Sequence, residues 1–257
     1  MKLAFREFGQ GQPLIILHGL FGQSDNWNTL AKRFGESGFR VFTIDQRNHG
    51  LSPHSEEWNY QVMADDLKEF IDFHNLQNPI LLGHSMGGKT VLFFELLYPT
   101  ISLKNIVVDI APRAYEPHHQ DVLDALNAVD FSNINTRKEA EAILGNYISD
   151  FGTKQFLLKN IYWREDETKQ MDWRFNLKVI FDNINSIGIE LPFFTSTKPF
   201  LFIRGQKSNY INDDDIIDLE NRFTNLEVET ILNSGHWVHA EQPEAFFKSV
   251  LKFISKD

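Results

Sequence analysis

The sequence contains no cysteine. This excludes a disulfide framework, a thiolate zinc site, an iron–sulfur cluster and a cysteine nucleophile. Cationic residues are in deficit, with 25 Lys and Arg against 35 Asp and Glu, a formal net charge of −10. Such a balance argues against nucleic-acid or anionic-membrane binding over a wide surface, because little is present to displace counterions. Long apolar runs are missing too. No stretch reaches the roughly 18 residues of a membrane span, and the mean hydropathy is −0.31. Met1–Gln10 (MKLAFREFGQ) offers a run of only three apolar residues, Leu3 to Phe5, before Arg6, too few for a secretory signal, so a cytoplasmic protein is expected. Low-complexity tracts and internal repeats are absent, which argues against solenoids and propellers. In excess is phenylalanine, 23 of 257 residues, for which the default place is a core.

Short β-rich runs at 14–17 (LIIL), 41–44 (VFTI), 80–82 (ILL), 106–108 (IVV) and 200–203 (FLFI) alternate with amphipathic stretches at 25–37, 60–74, 86–97, 213–222 and 241–254. Continuous apolar runs suit strands buried on both faces of a parallel sheet. A further strand is expected near 226–231. Between 110 and 199 the alternation stops and the chain becomes polar, aromatic and helical in period. The expected layout is an α/β fold with a mostly parallel central sheet flanked by helices, its core formed by residues 1–114 and 198–257, with an inserted helical cap at 115–197.

Chemistry enters at Gly83-His84-Ser85-Met86-Gly87. It matches G-x-S-x-G directly after an apolar run and directly before an amphipathic helix. By chance a chain of this composition carries about 0.05 such matches. The glycines permit a strand-to-helix turn so tight that Ser85 takes strained backbone angles and projects its hydroxyl, while the Met86 N–H opens a helix and faces developing negative charge. A second oxyanion donor is expected from His18-Gly19-Leu20-Phe21-Gly22. Leu20 is the assignment, and Phe21 the neighbour with which it can be confused.

A serine hydroxyl needs a base, and histidine has the appropriate pKa. His236, in Ser234-Gly235-His236-Trp237 before the last helix, follows the nucleophile in the required chain order. His239 pairs with it at a spacing that invites a metal, but no H-E-x-x-H motif or suitably spaced carboxylate supports one. No metal or cofactor is expected. His18, His49, His84, His118 and His119 read as packing or rim residues.

The acid is harder to place. The loop after the 200–203 strand, Arg204 to Tyr210, has Ser208 where a carboxylate is usual. Asp109 ends the preceding strand and can reach the same histidine, so it is the assigned acid, with Ser208 bonding to it or to the imidazole. The rival is Asp213-Asp214-Asp215, which reads as the solvated first turn of a helix. Aromatic candidates for substrate contact are Phe21, Phe131, Phe156, Trp163 and Trp237. Phe151, Trp173, Phe175 and Phe181 also belong to the expected cap, where core packing competes with a binding role. Lys89 reads as a surface lysine, with contact to an anionic leaving group as the alternative.

These segments resemble an α/β-hydrolase with a cap and, within that superfamily, the YbfF-type esterases. The resemblance covers the whole chain and rests on HGLFG at 18–22, DQRNHGLS at 45–52, GHSMGGK at 83–89, VVDIAP at 107–112, RGQKSNYI at 204–211 and GHWVHAEQPE at 235–244. It implies esterase or acyl-thioesterase activity on a small-molecule acyl ester or thioester. It also implies an acid taken from the earlier strand with a serine near the usual acid position, in line with Asp109 and Ser208. A carbon–carbon bond hydrolase of the meta-cleavage type uses the same three groups and is the runner-up. A slow-turnover ligand-binding protein on the same scaffold is the alternative from another class. Oligomeric state is not readable from the sequence.

Overall fold

The computed structural model describes residues 1–116 and 120–256. The strands are β1 (Phe5–Phe8), β2 (Gln12–Leu17), β3 (Phe39–Ile44), β4 (Ile80–His84), β5 (Lys104–Val108), β6 (Ile161–Trp163), β7 (Met171–Trp173), β8 (Ser196–Gly205) and β9 (Phe223–Ile231). The helices are α1 (Asn28–Glu36), α2 (Tyr60–Phe73), α3 (Met86–Leu97), α4 (Gln120–Ala128), α5 (Arg137–Leu144), α6 (Phe151–Leu158), α7 (Leu177–Asp182), α8 (Asp213–Arg222), α9 (Val238–Glu241) and α10 (Pro243–Ile254).

Seven strands form one sheet in the order β1-β3-β2-β4-β5-β8-β9. Only β1 runs antiparallel to its neighbour, β3; every other pair is parallel. The chain leaves β2 toward one edge and continues from β4 toward the other, so a crevice opens at the carboxyl ends of β2 and β4, the topological switch point where open α/β sheets bind ligands.

Alternation along β2 explains its continuous apolar run. Leu14 and Ile16 pack with Leu30 and Phe34 of α1 and Phe246 of α10, while Ile15 and Leu17 pack with Leu67 and Phe70 of α2 and Val91 of α3. Both faces of the sheet are therefore covered, and a single polar substitution such as Ile16→Asp leaves a buried charge unpaired. Helix boundaries follow local chemistry. Asn59 caps α2 by accepting the Val62 N–H, and Asn212 with Asp215 forms a reciprocal cap on α8.

Four features depart from the expectations. The edge strand β1 was not anticipated. The stretch 25–37 opens as a 3₁₀ turn at Ser24–Trp27 before α1, and the last helix begins at Pro243 after the separate short α9. Between β5 and β8 the chain carries α4 to α7, as the helical period indicates, together with the antiparallel β6–β7 pair. Its apolar side chains form a cluster that takes in Leu20, Phe21 and Met86 from the loops at the sheet's carboxyl edge.

Candidate active site

Ser85 stands between β4 and α3 with φ +53° and ψ −117°. An L-residue avoids that region, and the conformation is imposed by packing. A Cβ on Gly83 meets the Gly87 carbonyl oxygen at 2.1 Å, and a Cβ on Gly87 meets the Leu17 oxygen at 2.5 Å, so both glycines are required by the closeness of strand, turn and helix. The Ser85 N–H donates to the Val108 carbonyl at 2.9 Å, which ties the turn to β5. Met86 begins the twelve-residue α3, and its N–H faces outward from a helix N-terminus.

Beside it lies the loop 18–22 that follows β2. The Phe21 N–H donates to His49 Nε2 at 3.2 Å, so that donor is committed. Among the described residues neither the Leu20 nor the Met86 N–H is engaged by a protein acceptor. His18 Nε2 accepts the Gln46 N–H at 3.0 Å, leaving Nδ1–H to donate to the Gly19 carbonyl at 2.8 Å. By the same logic His49 Nδ1–H donates to the Arg47 carbonyl at 3.0 Å. The two histidines brace the loop in fixed tautomers rather than merely packing at its rim.

On the other side of Ser85, His236 Nδ1 donates to Asp109 Oδ2 at 2.7 Å, and the Asp109 side chain is fully buried. With Nδ1 carrying the hydrogen, Nε2 keeps its lone pair. Asp109 Oδ1 accepts the Gly205 N–H at 2.9 Å, and Ser208 Oγ donates to Oδ2. The Tyr210 ring stacks on the imidazole, with centroids 3.9 Å apart. His84 Nε2 donates to the His236 carbonyl at 2.9 Å, while the Glu241 carboxylate accepts the N–H groups of Gly235 (2.8 Å) and Trp237 (3.2 Å). Tyr210 and Glu241 lie in the segments 204–211 and 235–244, but their residue types signal no role there; only the fold brings them to the histidine. The run 213–215 lies elsewhere, with Asp213 on the surface against Arg204 and Asp215 buried against Arg113.

Two small cavities meet at Ser85. One, of about 40 Å³, is walled by Tyr60, Ile110, Tyr115, Ile184 and Ile187. The other, of about 80 Å³, is walled by Phe21, Phe156, Trp237, His236 and Tyr210. Phe21, Phe156 and Trp237 thus stand beside the serine. Phe131 does not; it packs edge-on against Trp173, inside the apolar cluster of the inserted segment. Trp163 is also elsewhere, 54% exposed at the end of the three-residue β6. Phe151 and Phe181 are exposed, whereas Trp173 and Phe175 are core. His118 and His119 lie outside the described residues. Among the described residues no group of three or more His, Asp or Glu is arranged to hold a metal ion, and no helix is long and apolar enough to cross a membrane.

Residues 12–243 match the family described as alpha/beta hydrolase fold. The chain belongs to that family. Esterase YbfF of Escherichia coli is 35% identical over 99% of this chain and 100% of its own length. The sn-1-specific diacylglycerol lipase ABHD11 of Danio rerio is 34% identical over 96% of this chain and 79% of its own. A solved structure of a marine microorganism esterase superposes with a TM-score of 0.94 at 41% identity, covering 98% of this chain and 99% of that one.

Four imidazoles around the crevice, those of His18, His49, His84 and His239, are buried, which favours their neutral form. Burial holds His18 down to about 4 and His49 to about 3; burial, followed by nearby His236, holds His239 to about 3. Burial and the neighbouring His239 and His236 rings hold His84 well below the ordinary value. Folded-state values below the unfolded one mean that the unfolded chain takes up protons first. The contribution of these histidines is therefore complete above pH 6.5 and falls as pH drops from there toward the folded values. Each buried ring costs up to about 1.4 kcal/mol per pH unit in that window. Acting together, such rings weigh noticeably against a typical stability margin of about 5–15 kcal/mol. Thermal melts are expected to show a steep fall in Tm between pH 6 and 4.5; a Tm unchanged down to pH 4.5 contradicts this.

Proposed function

We propose that the chain cleaves carboxylic esters through an acyl-enzyme formed on Ser85. With esterase relatives over its full length, it is a carboxylic ester hydrolase. The serine mechanism is our reading of the site, and the observation that supports it best is the buried Asp109–His236 bond at 2.7 Å, its imidazole sharing one cavity with the strained Ser85. In this reading His236 Nε2 takes the Ser85 proton as Oγ attacks the carbonyl. The Leu20 and Met86 N–H groups hold the oxyanion. His236 then delivers the proton to the departing oxygen, activates a water and returns to its starting state as the acid is released. Asp109 fixes the tautomer, and Ser208 and the Gly205 N–H keep its carboxylate in place. The inserted segment acts as a cap over the carboxyl edge of the sheet.

The two cavities divide the labour. His236 must reach the leaving group, and it lines the larger cavity but not the smaller, so the acyl group belongs against Tyr60, Ile184 and Ile187. One water occupies about 10–15 Å³ on a comparable measure, so the 40 Å³ chamber suits an acyl group of about two to four carbons. Beyond Phe156 and Trp237 a cleft of about 720 Å³ opens, carrying Asp25, Asp150 and Glu241 against Lys159. That lining favours an uncharged alcohol over the polyanionic coenzyme A thiol.

The test is the initial rate on p-nitrophenyl esters of increasing acyl length. Acetyl to butyryl esters are expected to exceed octanoyl by at least about tenfold in kcat/KM. Among thioesters, the acetyl thioester of neutral N-acetylcysteamine is expected to outpace acetyl-CoA. An optimum at long acyl chains overturns the chamber assignment, and failure to turn over any ester or thioester overturns the serine hydrolase reading in favour of a carbon–carbon hydrolase or a binding protein.

A further inference from the structure

Lys89 is not a surface lysine, nor does it face the leaving-group cavity: its side chain is fully buried one turn beyond Ser85, and its own N–H donates to the Ser85 carbonyl at 3.1 Å. The ammonium points at the two places where the chain crosses between the sheet and the inserted segment. It donates to the Arg113 carbonyl at 2.9 Å on the outgoing crossing and to the Ile189 carbonyl on the returning one. Its third side lies over the Tyr115 ring, 4.8 Å from the centroid. A buried ammonium has three donors, and here each has a recipient.

The crossings are joined to each other as well. The Tyr115 N–H donates to the Gly188 carbonyl and the Leu191 N–H to the Pro112 carbonyl, both at 2.8 Å. From Tyr115 the contacts continue to the reaction centre. Its hydroxyl accepts the Ala111 N–H at 2.7 Å and donates to the Tyr210 carbonyl at 2.5 Å. The Tyr210 ring is the one stacked on His236. Burial, with Arg113 nearby, lowers the Lys89 amine to about 7, and Glu190 opposes this; Arg113 is itself paired with Asp215 at 2.9 Å. Burying an amine is costly, so its place here needs an offsetting role.

We propose that Lys89 is a positioning residue that clamps the two crossings of the inserted segment, so that Tyr115 and Tyr210 hold the His236 imidazole in line with Ser85. The inference rests on the serine hydrolase reading given above.

The test is a double-mutant cycle on p-nitrophenyl acetate with Lys89→Met, which keeps length and apolar bulk but removes the donors, and Tyr115→Phe, which keeps the ring but removes the hydroxyl links to Ala111 and Tyr210. Each is expected to lower kcat by about 10- to 100-fold with KM changed less than about threefold. The double variant is expected to be little worse than the poorer single one, because both break one strut. The downfield Nδ1 proton resonance of the His236–Asp109 pair is expected to broaden in both variants. If folded Lys89→Met and Tyr115→Phe keep kcat within twofold, or if their losses simply multiply, the strut is refuted. Should Lys89→Met fail to fold, Tyr115→Phe alone decides through its kcat and its proton resonance. Retention of activity by Ser85→Ala refutes the underlying mechanism instead, which keeps the two failures apart.

Discussion

Ser85→Ala is expected to lower kcat/KM on p-nitrophenyl acetate by about 10⁶-fold, because nucleophile, base and orienting carboxylate act as a unit and loss of the first idles the other two. A residual rate about 10³-fold above water is expected, since the Leu20 and Met86 N–H groups still stabilise an oxyanion formed by attack of water. Stability should change little: alanine at φ +53° suffers the same backbone strain as serine. The measurement is a side-by-side rate with thermal melts of both proteins. An alanine variant that keeps more than about 1% of wild-type kcat/KM places the nucleophile elsewhere.

Asp109→Asn is expected to lower kcat by about 10⁴-fold with the Asp213–Asp215 run intact. The geometry gives the reason. Asp109 accepts from His236 Nδ1, Ser208 Oγ and the Gly205 N–H, so an amide in its place presents a donor to groups that are themselves donors. The imidazole then turns or changes tautomer, and Nε2 loses its lone pair toward Ser85. Ser208→Ala removes one of the three donors and is expected to cost about tenfold. Asp213→Asn, on the surface against Arg204, is expected to leave kcat within about twofold. Equal activity of Asp109→Asn and wild type, or loss of activity in Asp213→Asn, reassigns the acid to α8.

Local pattern carried far where it coincided with burial. The run LIIL at 14–17 is apolar at every position because both faces of β2 are covered, and the period at 86–97 and 213–222 matches α3 and α8 at both ends. The edge strand β1 escaped because Arg6 and Glu7 point to solvent and only its antiparallel partner β3 makes it a strand. The three-residue strands β6 and β7 escaped for a similar reason: they are too short for a period and exist through their mutual pairing.

The candidate site divides along the same line. By itself the sequence determined that Ser85 lies at a strand-to-helix turn, because G-x-S-x-G encodes a local backbone constraint, and that His236 and Asp109 follow strands in the order such a site uses. Only the tertiary structure decided that the Phe21 N–H is committed to His49 while the Leu20 N–H meets no acceptor among the described residues, that Phe131 and Trp163 stand away from the serine, and that Lys89 points into the crossings of the inserted segment. Those outcomes depend on which donors, rings and carbonyls meet across tens to a hundred residues of chain. Hydrogen-bond partnership and burial belong to pairs of distant groups, and a one-dimensional pattern does not contain them.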